Sequence, residues 1–596
     1  MTNRAKKILL LGVDGLIPEL VERFCAEGVL PNIRRLRDEG GTSRLLPYIS
    51  TWGDTNFVAF LTGQAPGTSW IGQRMPPRGT GHLLELMRTA GQRAALVHFP
   101  ESLLPAGDED FCFAPFWSAA GPAPIELAPA CLHSTHLEKW AESPQNEALG
   151  WPPSGTLAHH HKHNRFAIER TGDAYLALIP VNRGEPLAVT LTPQGSTRLT
   201  LEMGDSQAEL GVGDWSEWLP VVDGDESGHV RFKLLAYDAG EGRLDLLQSQ
   251  ITAPGKSSNQ PALAARLTQR HGPFISKWTV SADPDIRYFE TSFEEGRYQL
   301  EWLADSALTL LNEEDFQLFA TVFRLNDETH HTCLAYCDPA SAFYTSAEQA
   351  RYLDVIRRSY RILDDAVGKL LAGRRDDTVI VLASDHGDVP NRYLCDIHRR
   401  LAEFDLCSLD AHGRAIAERS RAFLKDERGG LEIFVNRDVV DAAEVDQVQT
   451  RILKALTTWY VDTPEGECNA VALAVKKQDA SVLGYWGEHM GDVLFAYAPG
   501  FVWGTNSRGD TVAPVTSAGA NHGPQVPTAS TAFASNQGLA IFHGEGIRAG
   551  AQLPLDTATG IQRMDDAGAT FAELLSLDTA SLDGKPLAAL LDRGRG

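Results

Sequence analysis

The chain has little with which to span a membrane, cross-link itself or hold a polyanion. No apolar run approaches the roughly 18 residues of a membrane span. Eight cysteines, at positions 25, 112, 131, 333, 337, 395, 407 and 468, are thinly spread through 596 residues. Only Cys333 and Cys337 lie close together, and their spacing is not that of a zinc ribbon. This sparse pattern excludes a disulfide scaffold and reads as free thiols in a reducing compartment. Cationic charge is also short: 54 Lys and Arg against 78 Asp and Glu leave a formal net charge of -24, with a sequence pI near 5.2. Such a surface repels phosphate polymers, which argues against non-specific nucleic-acid binding. The basic start, followed by Ile8-Leu9-Leu10-Leu11, has the outline of a leader peptide. Asp14 interrupts the apolar run, however, and no small-residue cleavage site follows, so the expectation is a cytoplasmic protein. No internal repeat is present, which excludes a solenoid.

What the chain does have is a set of Asp and His residues beyond apolar runs. Asp14 follows Ile8 to Val13, Asp327 and His331 follow Phe316 to Phe323, Asp385 and His386 follow Thr378 to Ala383, and His522 comes later. A single Asp after such a run is most often a helix cap, because its side chain accepts from free amides of the first turn. The recurrence of the pattern changes that reading. In a parallel α/β sheet, residues just past the C-terminal strand ends converge on one crevice. Three carboxylates and three imidazoles there suit two divalent ions, a device for phosphoryl transfer when the ions stand roughly 3.5–4 Å apart.

The flanking texture supports this sheet. Residues 1–130 alternate short apolar strands with helices, predicted near 18–27, 31–39 and 80–91, as a parallel sheet requires. A long helix is predicted over 348–371, with Leu353, Ile356, Tyr360, Leu363, Val367 and Leu370 on one face. Between about 150 and 305 the pattern shifts to short alternating segments, such as Tyr175 to Ile179, Leu187 to Leu191 and Val230 to Leu235, separated by Gly, Pro and Asp turns. We expect an inserted antiparallel β module there. The predicted organisation is therefore a core of 1–150 and 305–596 with an insert of 151–304.

The motifs also resemble those of the alkaline phosphatase superfamily, in particular its branch related to type I phosphodiesterases and nucleotide pyrophosphatases. The resemblance lies in Gly12-Val13-Asp14-Gly15 with Leu30 to Leu36, in Thr62-Gly63 with Ala65-Pro66-Gly67, and in Asp327-x-x-x-His331. It continues through Ser384-Asp385-His386-Gly387, Asn521-His522-Gly523 and the closing Asp583-Gly584-Lys585-Pro586-Leu587. It implies a doubly wound, mostly parallel α/β sheet with a β-sandwich-like cap, and two divalent ions, zinc with manganese as the alternative. Asp327, His331 and His522 would hold one ion, and Asp14, Asp385 and His386 the other. The implied substrate is a small anionic phosphate monoester or diester. A phosphomutase or other group transferase is the alternative activity, and a non-catalytic metal-binding scaffold a more distant one. The Cys-x-Pro-x-Arg signature of sulfatases is absent.

One departure stands out. The family's nucleophile position falls on Gly53, which has no side chain to attack with. Thr51 and Thr55 are the neighbouring hydroxyls, Asp54 is a neighbouring acid able to orient a water as general base, and Asn56 matches the family's phosphate-contacting Asn. Either a threonine takes the nucleophile's place, or water activated at the metals attacks directly. The His159 to His163 tract reads as a surface loop or hinge, Arg74 and Lys162 are possible phosphate contacts, and Asp388 reads as a solvated or capping residue.

Overall fold

The computed structural model describes residues 6–50, 53–69, 75–116, 126–137, 164–182, 184–425, 431–504, 509–557 and 560–592. The chain divides into two compact units. One takes residues 1–102, 117–121 and 307–596, and the other takes 103–116 and 122–306.

Seven strands of the first unit are β1 (Lys7–Val13), β2 (Gly41–Leu45), β3 (Ala94–Val97), β4 (Leu318–Phe323), β5 (Thr378–Ala383), β6 (Gly538–His543) and β7 (Ala551–Leu553). They hydrogen-bond in the order β7-β2-β6-β5-β1-β4-β3. β3, β4, β1 and β5 run parallel, while β6 is antiparallel to β5 and to β2. The sheet is therefore mostly parallel, as expected. β1, β4, β5 and β6 are buried at every residue, which requires cover on both faces and explains their unbroken apolar runs.

Five helices of this unit matter here: α1 (Pro31–Asp38), α2 (Asp54–Thr62), α3 (Leu325–Cys337), α4 (Ser346–Gly373) and α5 (Met564–Leu574). α4 packs on α1 and α3, and α5 packs on α2. The long helix predicted over 348–371 is α4, started by the Thr345 side chain, which accepts from the Glu348 amide at 3.2 Å.

The second unit carries an eight-stranded and a four-stranded sheet. Its strand pairs are antiparallel, apart from Cys131–Ser134 alongside Asn164–Thr171. Apolar residues of both sheets, including Val189, Leu201, Val221 and Ile251, share one core, the arrangement of a sandwich. The unit begins at 103 rather than 151. Strands Glu126–Ala128 and Cys131–Ser134 are too short to carry an alternating signature, and they pair with strands after 240.

Candidate metal centre

β4, β1 and β5 lie side by side and point the same way, so the residues just beyond them meet. Asp14 follows β1 directly, its amide donating to the Phe323 carbonyl at the end of β4. Gly15 then turns the chain at φ +66°, where a Cβ would stand 2.8 Å from Asp327 Oδ1; only glycine suits that turn. The Gly15 amide donates to Asp385 Oδ1 at 3.2 Å. Asp327 occupies the first turn of α3, where the positive end of the helix favours a carboxylate. His331, four residues on, shares its face, with Nε2 3.2 Å from Asp327 Oδ2. Its Nδ1 donates to the Ala520 carbonyl at 2.6 Å, which fixes the tautomer and leaves Nε2 for a ligand. His386 is oriented likewise, Nδ1 donating to the Gly387 carbonyl at 3.1 Å, and its Nε2 stands 2.9 Å from Asp385 Oδ2 and 3.4 Å from Asp14 Oδ1. His522 arrives on a short strand, Ala520–Asn521, paired with Val389–Pro390. Its ring stacks on His386, with centroids 3.5 Å apart and planes 6° off parallel.

All six sequence-predicted ligand residues therefore meet. Among the described residues, two groups have ligand atoms within 4.8 Å of one another: Asp327, His331, Asp388 and His522; and Asp14, Asp327 and His386. Asp327 belongs to both, and Asp385 stands beside the second through His386. The expected solvated or capping role for Asp388 is corrected here. It is wholly buried, and neither of its carboxylate oxygens has a hydrogen-bond partner.

The electrostatics call for cations. Burial above all, then Asp327 and Asp385, push the Asp14 carboxyl well above its ordinary range. Burial also raises Asp385. Burial works to raise Asp327 too, but His331, His522 and His386 outweigh it and hold that carboxyl well below the usual range. His331 and His386 are driven to about 10, since Asp327 and Asp385 respectively overcome the burial that disfavours imidazolium. Burial and the His386 charge keep His522 neutral. Protons thus stand where divalent ions would sit. Asp327 Oδ1, Asp385 Oδ2, His386 Nε2 and His522 Nδ1 are buried without a hydrogen-bond partner, as donors reserved for metal should be.

Gly53 immediately precedes α2, and a Cβ added to it would lie 1.9 Å from Asp385 Oδ2 and 3.2 Å from His386 Nε2. The position that the resemblance gives to a nucleophile therefore abuts two of the candidate ligand residues. Asp54 and Thr55 open α2 and are buried. Burial, then Glu101 and Asp385, raise the Asp54 carboxyl well above its usual range. The Thr55 hydroxyl is hydrogen-bonded to that of Ser50 at 3.0 Å. Asn56 Oδ1 accepts from the Tyr48 amide at 2.8 Å. A small cleft beside the centre is lined by Ser50, Asn56, His386, His522, Gln525 and Asn536, among others. Thr51, Arg74, Lys162 and the His159 to His163 tract lie outside the described residues.

Ser50, Gln525, Asn536 and Asp388 were not singled out as functional from the sequence. For Asp388 a signal existed, a second acid three residues after Asp385 across a glycine. The others carry none beyond their nearness to Gly53 and His522.

A mostly parallel sheet with carboxylates and imidazoles converging past its central strands is the architecture of a metal-dependent hydrolase. The family model for type I phosphodiesterase / nucleotide pyrophosphatase matches residues 8–170 and 249–525, and the chain belongs to this family, within the alkaline phosphatase superfamily. It is an enzyme of metal-dependent phosphoester hydrolysis. The stretch the family model leaves unmatched, 171–248, falls inside the second unit.

Among curated proteins, none matches the chain. Similar solved structures include wild-type alkaline phosphatase PafA, at 12% identity over 99% of this chain and 100% of that one, with a TM-score of 0.46. Murine ectonucleotide pyrophosphatase / phosphodiesterase 5 in complex with AMP is 11% identical over 98% of this chain and 100% of that one, with a TM-score of 0.44. Phosphonoacetate hydrolase from Sinorhizobium meliloti 1021 in complex with phosphonoacetate is 12% identical over 96% of each chain, with a TM-score of 0.42. At these scores the likenesses add nothing to the family assignment.

Proposed function

We propose that the protein hydrolyses a small phosphate monoester or diester in the cleft beside Asn56, with two zinc ions, or manganese in their place, held by Asp14, Asp327, His331, Asp385, His386 and His522. The observation that carries this reading is the convergence of these six side chains, four of them with buried donor atoms that lack a hydrogen-bond partner. Mixed oxygen and nitrogen donors suit borderline divalent ions. Bound there, the ions would neutralise developing charge and orient the reacting oxygens.

The chain's own residues set the rest. Asn56 and Gln525 border the cleft and offer amide donors to phosphoryl oxygens. Gly53 presents no hydroxyl, and its packing on Asp385 leaves no room for one, so water attacks phosphorus in line as the bond to the leaving oxygen breaks. We assign Asp54, buried in the first turn of α2, to take the proton of that water as its general base. A second reading places the phosphoryl group on Ser50, favoured by that residue's position in the cleft and its hydrogen bond to Thr55. Thr55 and Thr51 remain the hydroxyls nearest Gly53 in sequence. All eight cysteines are free, which supports placing the protein in the reducing cytoplasm, and among the described residues no helix is long and apolar enough to cross a membrane.

Purified protein should contain about two divalent ions per chain, and His522→Ala and Asp385→Ala should each lower that number and abolish hydrolysis of a phosphoester panel. Protein that takes up no metal on reconstitution would defeat the reading. Intact mass after a rapid quench with substrate separates the two attack modes. A phosphoenzyme lost in Ser50→Ala or Thr55→Ala would replace water with that hydroxyl.

A further inference from the structure

We propose that Asp388 is a metal ligand, the fourth for the ion shared by Asp327, His331 and His522, and that it makes the two ions unequal. The inference rests on the two-ion reading above. Asp388 is entirely excluded from solvent, yet both its carboxylate oxygens lack a hydrogen bond. One of those oxygens lies with ligand atoms of Asp327, His331 and His522, all within 4.8 Å of one another. A buried carboxylate with nothing bonded to it is strongly unfavourable unless a cation compensates it, because the charge has lost its hydration.

His330 does not supply that cation well. Its Nδ1 stands 3.4 Å from Asp388 Oδ2 without a hydrogen bond between them, and that nitrogen is itself unpartnered. The other ring nitrogen is 3.2 Å from the Tyr360 hydroxyl, which accepts from the Ile17 amide. The imidazole is anchored through its other nitrogen, and one Asp388 oxygen lies with the Asp327, His331 and His522 group.

Donor count then distinguishes the ions. Two carboxylates and two imidazoles complete a tetrahedral zinc shell, as in sites that do not bind substrate directly. The second group has Asp14, Asp385 and His386 of its own, shares Asp327 with the first, and receives nothing from Gly53. Only the first group reaches four donors without sharing more than Asp327, so the position left for substrate or water would be at the second ion, whose His386 borders the cleft together with His522. The chain lacks a donor at 53 and gains one at 388.

The test uses the metal-free full-length chain titrated with Co²⁺, followed by visible absorption, together with thermal melts of the metal-free chain. Wild type should bind one equivalent tightly with the intense absorption of four-coordinate cobalt, and a second more weakly. Asp388→Asn should weaken the tight equivalent at least about ten-fold. Metal-free, it should melt higher than wild type, because an uncompensated carboxylate has gone. His330→Asn should leave cobalt affinity unchanged.

Two results would overturn the proposal: cobalt binding by Asp388→Asn identical to wild type, or a lower metal-free melt in that variant that His330→Asn reproduces, which would make Asp388 only an ion-pair partner. His522→Ala separates the levels of failure. If it loses the tight equivalent while Asp388→Asn keeps it, the fourth ligand is wrong and the two-ion centre stands; if neither changes uptake, both fall. Asp388→Ser repeats the measurement should the Asn variant fail to fold.

Discussion

Gly53 shows how one residue without a side chain constrains a centre. Asp385, the residue a Cβ would strike, is wholly buried and held by the Gly15 amide, so it has little freedom to retreat. Gly53→Ala should therefore displace Asp385 and lower metal affinity and hydrolysis by about 10- to 100-fold, read by metal content and turnover. A fully active, fully loaded Ala variant would show that the close approach is dispensable. Gly53→Ser, by the same steric argument, should not gain a phosphoenzyme. Away from the centre, Glu295 is buried, accepting from the Thr279 amide at 3.0 Å while its second oxygen has no hydrogen bond. Burial raises its pKa from 4.5 to about 7. The folded state therefore holds a proton that the unfolded chain releases above 4.5. The stability this proton brings is complete below about pH 4.5 and is lost as pH rises through 7, an effect on the order of 3 kcal/mol. The urea midpoint of the second unit should fall across that window, and Glu295→Gln should flatten the profile. Five of the six candidate ligand residues were legible because each follows an unbroken apolar strand or sits at fixed spacing from one that does; His522 was legible only through the resemblance of Asn521-His522-Gly523. The burial of Asp388 was not legible beyond its spacing from Asp385, because the neighbouring Val389–Pro390 pairs with Ala520–Asn521, a long-range contact that local pattern does not encode.

At the scale of elements, α1 begins with Pro31, which supplies the right φ but no amide, and its cap residue, Leu30, offers no side-chain acceptor. The missing cap comes from another helix. Asp364 of α4 accepts from the Asn32 and Ile33 amides at 3.0 and 2.8 Å and from the Asn32 side chain at 2.9 Å. Asp364→Ala should cost about 1–2 kcal/mol, measured by chemical denaturation; an unchanged midpoint would show that Pro31 alone suffices to start α1. Periodicity located α1, α4 and the central strands to within a few residues, since each buries a continuous face. The reversed direction of β6 was not readable, because an apolar strand looks the same whichever way it runs. The early start of the second unit escaped for a related reason: its first strands, three and four residues long, are stabilised by partners far along the chain.

At the scale of the whole molecule, each unit has its own core. Replacing residues 103–306 with a flexible linker should leave the first unit folded and able to take up metal, since β1 to β7 and all six candidate ligand residues lie outside the excised stretch. An insoluble or metal-free product would show that the first unit needs the second to fold. The same discontinuity governs how the protein is made. β1 is the middle of its sheet, yet Ile8 pairs with Leu318 on one side and Val379 on the other. During synthesis this first strand leaves the ribosome with neither neighbour in existence, and at ordinary elongation rates the wait is roughly half a minute. The segment from 103 to 306 emerges within that interval and can complete itself while the earlier strand stays unpaired and apolar. The nascent chain thus spends much of its synthesis with one finished unit and one exposed strand, a client for whatever chaperone holds β1 until β4 and β5 arrive.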